Sequence, residues 1–213
     1  MSLNQHDGPP AGDDRAINLP PWTLRLIVLL LAIHAGRLLL PVVDDDWLIA
    51  TFSIVPARYL GDMPADFLDL AAGPLGHMFL HADWMHVGMN VATLAAFGAP
   101  VERFLGGPRY LGFYVVTGLI GAALHVAVTP ASQVPMIGAS GAISGLFGGL
   151  LLIMYVSGRM RSIVPFTLVW LAMQVGLGYY ATTPGGDGIA WAAHIGGFAA
   201  GMALIRPFAG WRW

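Results

Sequence analysis

Three short stretches hold side chains of the kinds that move protons and attack carbonyls. Gly138-Ala139-Ser140-Gly141-Ala142-Ile143-Ser144-Gly145 presents serines among small residues, Ala192-Ala193-His194-Ile195-Gly196-Gly197 presents a histidine, and a third stretch carries His77, His81, His86 and Asn90. A serine hydroxyl is a weak nucleophile until a base removes its proton, so Ser140 beside His194 suits acyl transfer. Asn90 follows His86 by four residues and shares a helical face with it. That amide and imidazole, joined by the backbone N–H of Ser140, suit the stabilisation of an oxyanion. Asp187 lies on the loop before the last apolar run, and no carboxylate falls within the runs that hold Ser140 and His194. The expected unit is a Ser-His dyad.

These groups sit in apolar surroundings. Of 213 residues, 56% are hydrophobic and 10% charged, against about 25% charged in an ordinary soluble domain. A bilayer-spanning helix needs about 20 mostly apolar residues. Six such runs appear, at 22–43, 77–100, 109–128, 138–156, 163–181 and 188–205, with breaks at Glu102-Arg103, Thr129-Pro130, Arg159-Met160-Arg161 and Pro184-Gly185-Gly186. The expected architecture is all-α, a polytopic six-transmembrane-helix bundle over 22–206. A polar, proline-punctuated tail (1–21) precedes it and a short tail (207–213) follows. The segment 44–76 forms an outer loop, interfacial or partly folded because Trp47, Leu48, Tyr59, Phe67 and Leu68 alternate with aspartates.

Every basic residue other than histidine is arginine. Arg15, Arg25, Arg103, Arg109, Arg159, Arg161, Arg206 and Arg212 fall on one side of six alternating spans, which makes that side, and both termini, cytoplasmic. The outer face holds Arg58 and most of the acidic residues, and Arg37 is the exception, in or near the outer end of the first span. The absence of lysine and a net charge of -2 leave no patch suited to nucleic acid. The absence of cysteine excludes disulfides and thiolate chemistry. No cofactor is expected, and no metal, since the histidines form no His-Glu-x-x-His pattern. The lipid bilayer and other membrane proteins are the expected partners. A short chain without soluble domains fits a bacterial inner (plasma) membrane.

With that orientation, spans two, four and six all enter from the outer face, and His86, Asn90, Ser140 and His194 share one depth. Gly141, Gly145 and Gly149 repeat every four residues, as do Gly197 and Gly201, giving two flat faces along which spans four and six are expected to pack. Read singly, a membrane serine bonds its own helix carbonyls and packs; that reading is kept for Ser144. His77 and His81 lie at the start of span two, where they cap or bond loop backbone, with His81 a candidate for the site's mouth.

Gly138-Ala139-Ser140-Gly141 in a fourth span, Ala193-His194 followed by Gly197 and Gly201 in a sixth, and His81, His86 and Asn90 in a second resemble the rhomboid family of intramembrane serine proteases. The resemblance implies Ser140 as nucleophile, His194 as general base and acid, and His86 and Asn90 as the oxyanion-stabilising pair. It also implies a single-span membrane protein substrate, with span five and the loop Thr182 to Asp187 as gate and cap. The chain departs from many members in lacking a Trp-Arg pair in the outer loop, and in carrying Ser144 where a tyrosine stacks on the histidine. Trp191 or Tyr179 is the expected substitute for that tyrosine. A non-catalytic rhomboid-like protein that binds or escorts membrane clients is the alternative; members that have lost activity tend to lack the serine or histidine, and both are present here.

Overall fold

The computed structural model describes residues 18–61, 63–181 and 190–210. The greater part of the N-terminal tail, the Thr182 to Asp187 segment with its assigned role as cap, and the last three residues lie outside the described residues. The remainder is all-α, and among the described residues the only β pairing is an isolated antiparallel bridge between Ile54 and Met136.

Helix α1 (Pro21–Arg37) opens with proline in its first turn, where the missing N–H costs nothing. Its exposed N–H groups are capped from a distant part of the chain. Trp22 and Thr23 donate backbone hydrogen bonds to the Glu102 carboxylate at 3.0 and 2.6 Å, and the Thr23 hydroxyl adds a third at 2.8 Å. A carboxylate at a helix N-terminus also meets the favourable end of the helix dipole. Glu102 is therefore buried inside a helix, although the sequence reading took Glu102-Arg103 for a break between spans.

The segment expected to form an outer loop folds into α2 (Val42–Phe52), α3 (Pro56–Leu60) and α4 (Phe67–Gly76). Arg37 ties it to α1 by a paired contact with Asp45 at 2.7 and 3.0 Å, and it donates to the His81 carbonyl at 2.5 Å. Arg58 donates to the Ala50 carbonyl and lies 3.5 Å from Asp69, and the Tyr59 hydroxyl reaches the Leu70 carbonyl at 3.2 Å. Two arginines thus anchor a segment that has no Trp-Arg pair.

The second apolar run does not begin as a continuous helix at His77. His77–Phe79 forms one 3₁₀ turn, the chain bends, and α5 (Trp84–Thr93) starts where the Asp83 side chain accepts the His86 N–H at 2.8 Å. A single π-helical turn (Leu94–Gly98) then joins α5 to α6 (Ala99–Leu105) in one rod. Pro100 offers no N–H to the Ala96 carbonyl and crowds it, so a widened turn just before it relieves both defects.

Helices α7 (Gly107–Val128), α8 (Ser140–Val156) and α10 (Trp191–Ala209) form the centre, with α9 (Val164–Ala181) outside them. A Cβ on Gly197 would overlap the Gly141 carbonyl, and one on Gly201 the Gly145 carbonyl, so α8 and α10 meet backbone to backbone. Gly145 and Gly149 themselves face α7, where a Cβ would strike Thr117 and Phe113 respectively. The expected α8 stripe is therefore divided: Gly141 faces Ala193 of α10, while Gly145 and Gly149 mainly receive α7. Gly148, not singled out in the sequence, lies against the Phe198 carbonyl.

Polarity is distributed inside out. Thr23, Asn90, Glu102, Thr117 and Gln174 are buried, whereas Val28, Val169 and Val175 are exposed. By length and apolarity alone, one described helix, Gly107–Val128, meets the requirement for crossing a bilayer; Ser140–Val156 and Val164–Tyr180 are apolar but shorter.

Candidate active site

Ser140 is the first residue of α8, and the chain is turned into that position by Gly138. The φ of 125° at Gly138 belongs to a region that side-chain-bearing residues avoid. A Cβ there would also fall 2.8 Å from His86 Nε2 and 3.6 Å from Ser140 Oγ. The imidazole and the hydroxyl thus flank one small space that only glycine leaves open. Two upstream histidines hold the approach: the His77 carbonyl accepts the Gly138 N–H at 2.8 Å, and His81 Nε2 accepts the Ala139 N–H at 3.4 Å.

His194 occupies the first turn of α10. Its Nε2 lies 2.8 Å from Ser140 Oγ, and its Nδ1 lies 2.8 Å from Gln174 Oε1 of α9. An amide oxygen can only accept, so the ring proton sits on Nδ1 and Nε2 is left to accept the serine proton. That is the tautomer a general base requires. Gln174 is buried and was missed by the sequence reading, which looked to Trp191 or Tyr179. Tyr179 is exposed, and Trp191 packs beside Gly178. The available signal was the cost of a primary amide in the middle of an apolar run.

The oxyanion candidates lie on α5. His86 Nδ1 accepts the Ala82 N–H at 3.4 Å, which leaves its proton on Nε2, the atom directed toward Gly138 and Ser140. Asn90, one turn below and buried, gives one Nδ2 hydrogen to the His86 carbonyl at 2.9 Å and retains the second. The N–H groups of Ser140, Gly141 and Ala142 begin α8 and so have no intrahelical acceptors. Donors from a ring, an amide and a helix N-terminus are thereby available near one hydroxyl.

The remaining candidates lie around this centre. His81 is fully buried, its ring 5.0 Å from that of His86, so it stands behind the site and not at its mouth. His77 Nδ1 bonds the Gly73 carbonyl at 3.0 Å, the backbone role weighed for it. Ser144 is buried one turn below Ser140. Among the described residues no three side chains converge as metal ligands.

Comparison with known proteins places this arrangement among relatives. A family model described as the Rhomboid domain matches residues 73–210. The chain is 35% identical over 161 residues to RHOMBOID-like protein 4 of Arabidopsis thaliana, covering 68% of this chain and 39% of that protein. It is 33% identical over 133 residues to Rhomboid protease GluP of Bacillus subtilis, covering 62% and 25% respectively. Rhomboid-related protein 3 of Mus musculus is 26% identical over 202 residues, covering 87% of this chain and 48% of the mouse protein. The chain thus spans less than half the length of each of these relatives.

Proposed function

The chain belongs to the rhomboid family, and from that premise we propose that it is an intramembrane serine endopeptidase cutting single-span membrane proteins in or beside their transmembrane segment. The observation that carries the reading is the 2.8 Å contact between Ser140 Oγ and His194 Nε2. As Oγ attacks the scissile carbonyl, its proton passes to His194 Nε2, and the carbonyl oxygen becomes an oxyanion. His86 Nε2–H, Asn90 Nδ2–H and the Ser140 N–H donate to it. His194 then gives the proton to the departing amine, leaving an acyl-Ser140. Water, deprotonated by the same imidazole, attacks that ester and restores the enzyme.

Six helical rods cross the bilayer: α1, the α5–α6 rod, α7, α8, α9 and α10. Support comes from the inverted polarity, since apolar side chains face outward and hydrogen-bonding ones inward. Ser140 and His194 open their helices at one depth, and both are half-buried, which suits a site wetted from the outer face. The arginine distribution places both termini on the cytoplasmic side.

The test is labelling of the detergent-solubilised protein by a serine-directed fluorophosphonate, beside folded Ser140→Ala and Ser144→Ala. Labelling lost only in Ser140→Ala is expected. A folded wild type that neither labels nor cleaves a transmembrane peptide would sink the reading.

A further inference from the structure

Helix α9 is held to the rest of the molecule in an unusual way. Most of its large side chains are exposed, including Phe166, Leu168, Val169, Met173 and Val175. Its buried face is a row of three, Gly178 against the Trp191 ring of α10 and, one and two turns before it, Gln174 and Trp170. Opposite Trp170 and Gln174 on α10 stand Phe198 and His194, also one turn apart. The Trp170 and Phe198 rings stack with centroids 4.4 Å apart and planes 18° apart, and Gln174 Oε1 meets His194 Nδ1 at 2.8 Å. The two helices therefore join through an aromatic rung, a polar rung and the Gly178–Trp191 contact, and the polar rung ends on the ring that faces Ser140.

We infer that Gln174 is the positioning residue for His194, standing where a carboxylate would complete a triad. The inference rests on the serine-protease reading for its catalytic consequence. Its structural content is independent: a neutral imidazole has one proton for two nitrogens, and the acceptor that Nδ1 finds decides which carries it. With Gln174 Oε1 present, Nδ1 keeps the proton and Nε2 offers a lone pair to Ser140. Without it the proton is free to sit on Nε2, where the ring donates to Ser140 Oγ and takes nothing from it. Being neutral, the amide orients the ring without contributing a negative charge to the imidazolium that forms. Its removal should therefore cost less than the ~10⁴-fold in kcat known for turning the aspartate of a serine-protease triad into an amide.

The experiment compares wild type with Gln174→Leu, Gln174→Met, Gln174→Glu and Trp170→Ala, all checked for melting temperature. Cleavage of a transmembrane peptide gives kcat and KM; ¹⁵N-histidine NMR, with the His194 signals assigned from His194→Ala, gives the tautomer. Gln174→Leu and Gln174→Met should lose about 10²-fold in kcat, with KM within threefold of wild type and the Nδ1 proton of His194 gone. Gln174→Glu, an acceptor of the same length, should recover most of the rate. Trp170→Ala should lower the melting temperature while keeping kcat within about fivefold. A Gln174→Leu protein with wild-type kcat or an unchanged His194 tautomer would overturn the inference, as would a Trp170→Ala protein as slow as Gln174→Leu. A chain that neither cleaves nor labels, yet changes tautomer with Gln174, would sink the protease reading and leave this one standing.

Discussion

The α8–α10 contact and the α9–α10 contact involve the same helix and are built on opposite principles. Along α8 the glycines bring backbone against backbone, so that Gly197 and Gly201 sit over carbonyl oxygens and α7 closes on the far side at Thr117 and Phe113. Along α9 the contact is made through side chains, the Trp170–Phe198 and Gln174–His194 rungs and the Trp191 ring against Gly178, and an apolar cleft of about 370 Å³ lies beside it among Phe147, Pro165, Phe166, Val169, Trp170 and Met173. A surface of small residues has few ways to rearrange, because any shift drives atoms into overlap. A contact of a few side chains can open and re-form. Ser140 and His194 stand on the first kind of contact, and the His194 ring meets Gln174 across the second.

The comparison breaks most severely at the glycines. Gly201→Val must separate α10 from the Gly145 carbonyl, and we expect a loss of more than about 3 kcal/mol, beyond ordinary overpacking. Thermal melting in detergent reads it, and a wild-type melting curve would contradict the backbone-to-backbone contact. Next in size is Asn90→Ala, which should reduce kcat/KM by about 10²-fold with folding intact if its free amide hydrogen serves the oxyanion; an unchanged rate would remove Asn90 from the site.

A third expectation sharpens the contrast without changing the sequence. Amide hydrogen exchange in α9 should run at least about 10-fold faster than in the middle of α8, since few buried contacts hold α9 in place. Equal protection would mean that a few side-chain contacts dock a helix as firmly as a glycine face. The smallest effect is expected at the periphery. Asp45 is held below the usual carboxylate range first by its hydrogen bond to Arg37, against the opposing effect of burial. A depressed carboxylate stabilises the fold above its unfolded pKa, and that contribution fades as pH falls through the lower, folded value. Exchange protection in α2 should therefore drop below about pH 4 before α7 and α8 respond, and Asp45→Asn should show the reduced protection at neutral pH.

Much of this was legible in the residues. Ser140, His194, His86 and Asn90 are singled out in the sequence because hydrogen-bonding groups in apolar runs must face inward, and the fold brings Ser140 against His194 and beside His86, with Asn90 bonded to the His86 carbonyl. Gln174 obeyed the same rule and was passed over. Helix α9 is apolar on every side, so no amphipathic stripe declares which face is buried, and a neutral amide lacks the charge by which the third member of a triad is recognised. The division of the α8 glycines between α7 and α10 was hidden for a similar reason: a four-residue repeat identifies a flat face but not its partner. The outer segment's anchoring by Arg37 and Arg58 depends on contacts made across the fold, which local pattern does not encode.

The π-helical turn at Leu94–Gly98 has a consequence for how this rod is aimed. A helix is a screw of fixed thread, and two distant residues on it ordinarily keep one angular offset. The wide turn holds one residue more than an α turn and so inserts a phase step of about 100°. His86 and Asn90 above it can then be directed at Ser140 while Glu102 below it is directed at the N-terminus of α1. Excising one residue from this turn would restore the thread and swing Glu102 away from Thr23, with His86 and Asn90 left where they are. The rod thus carries two bearings, and sequence drift can reset the one that seats α1 without disturbing the one that serves the site.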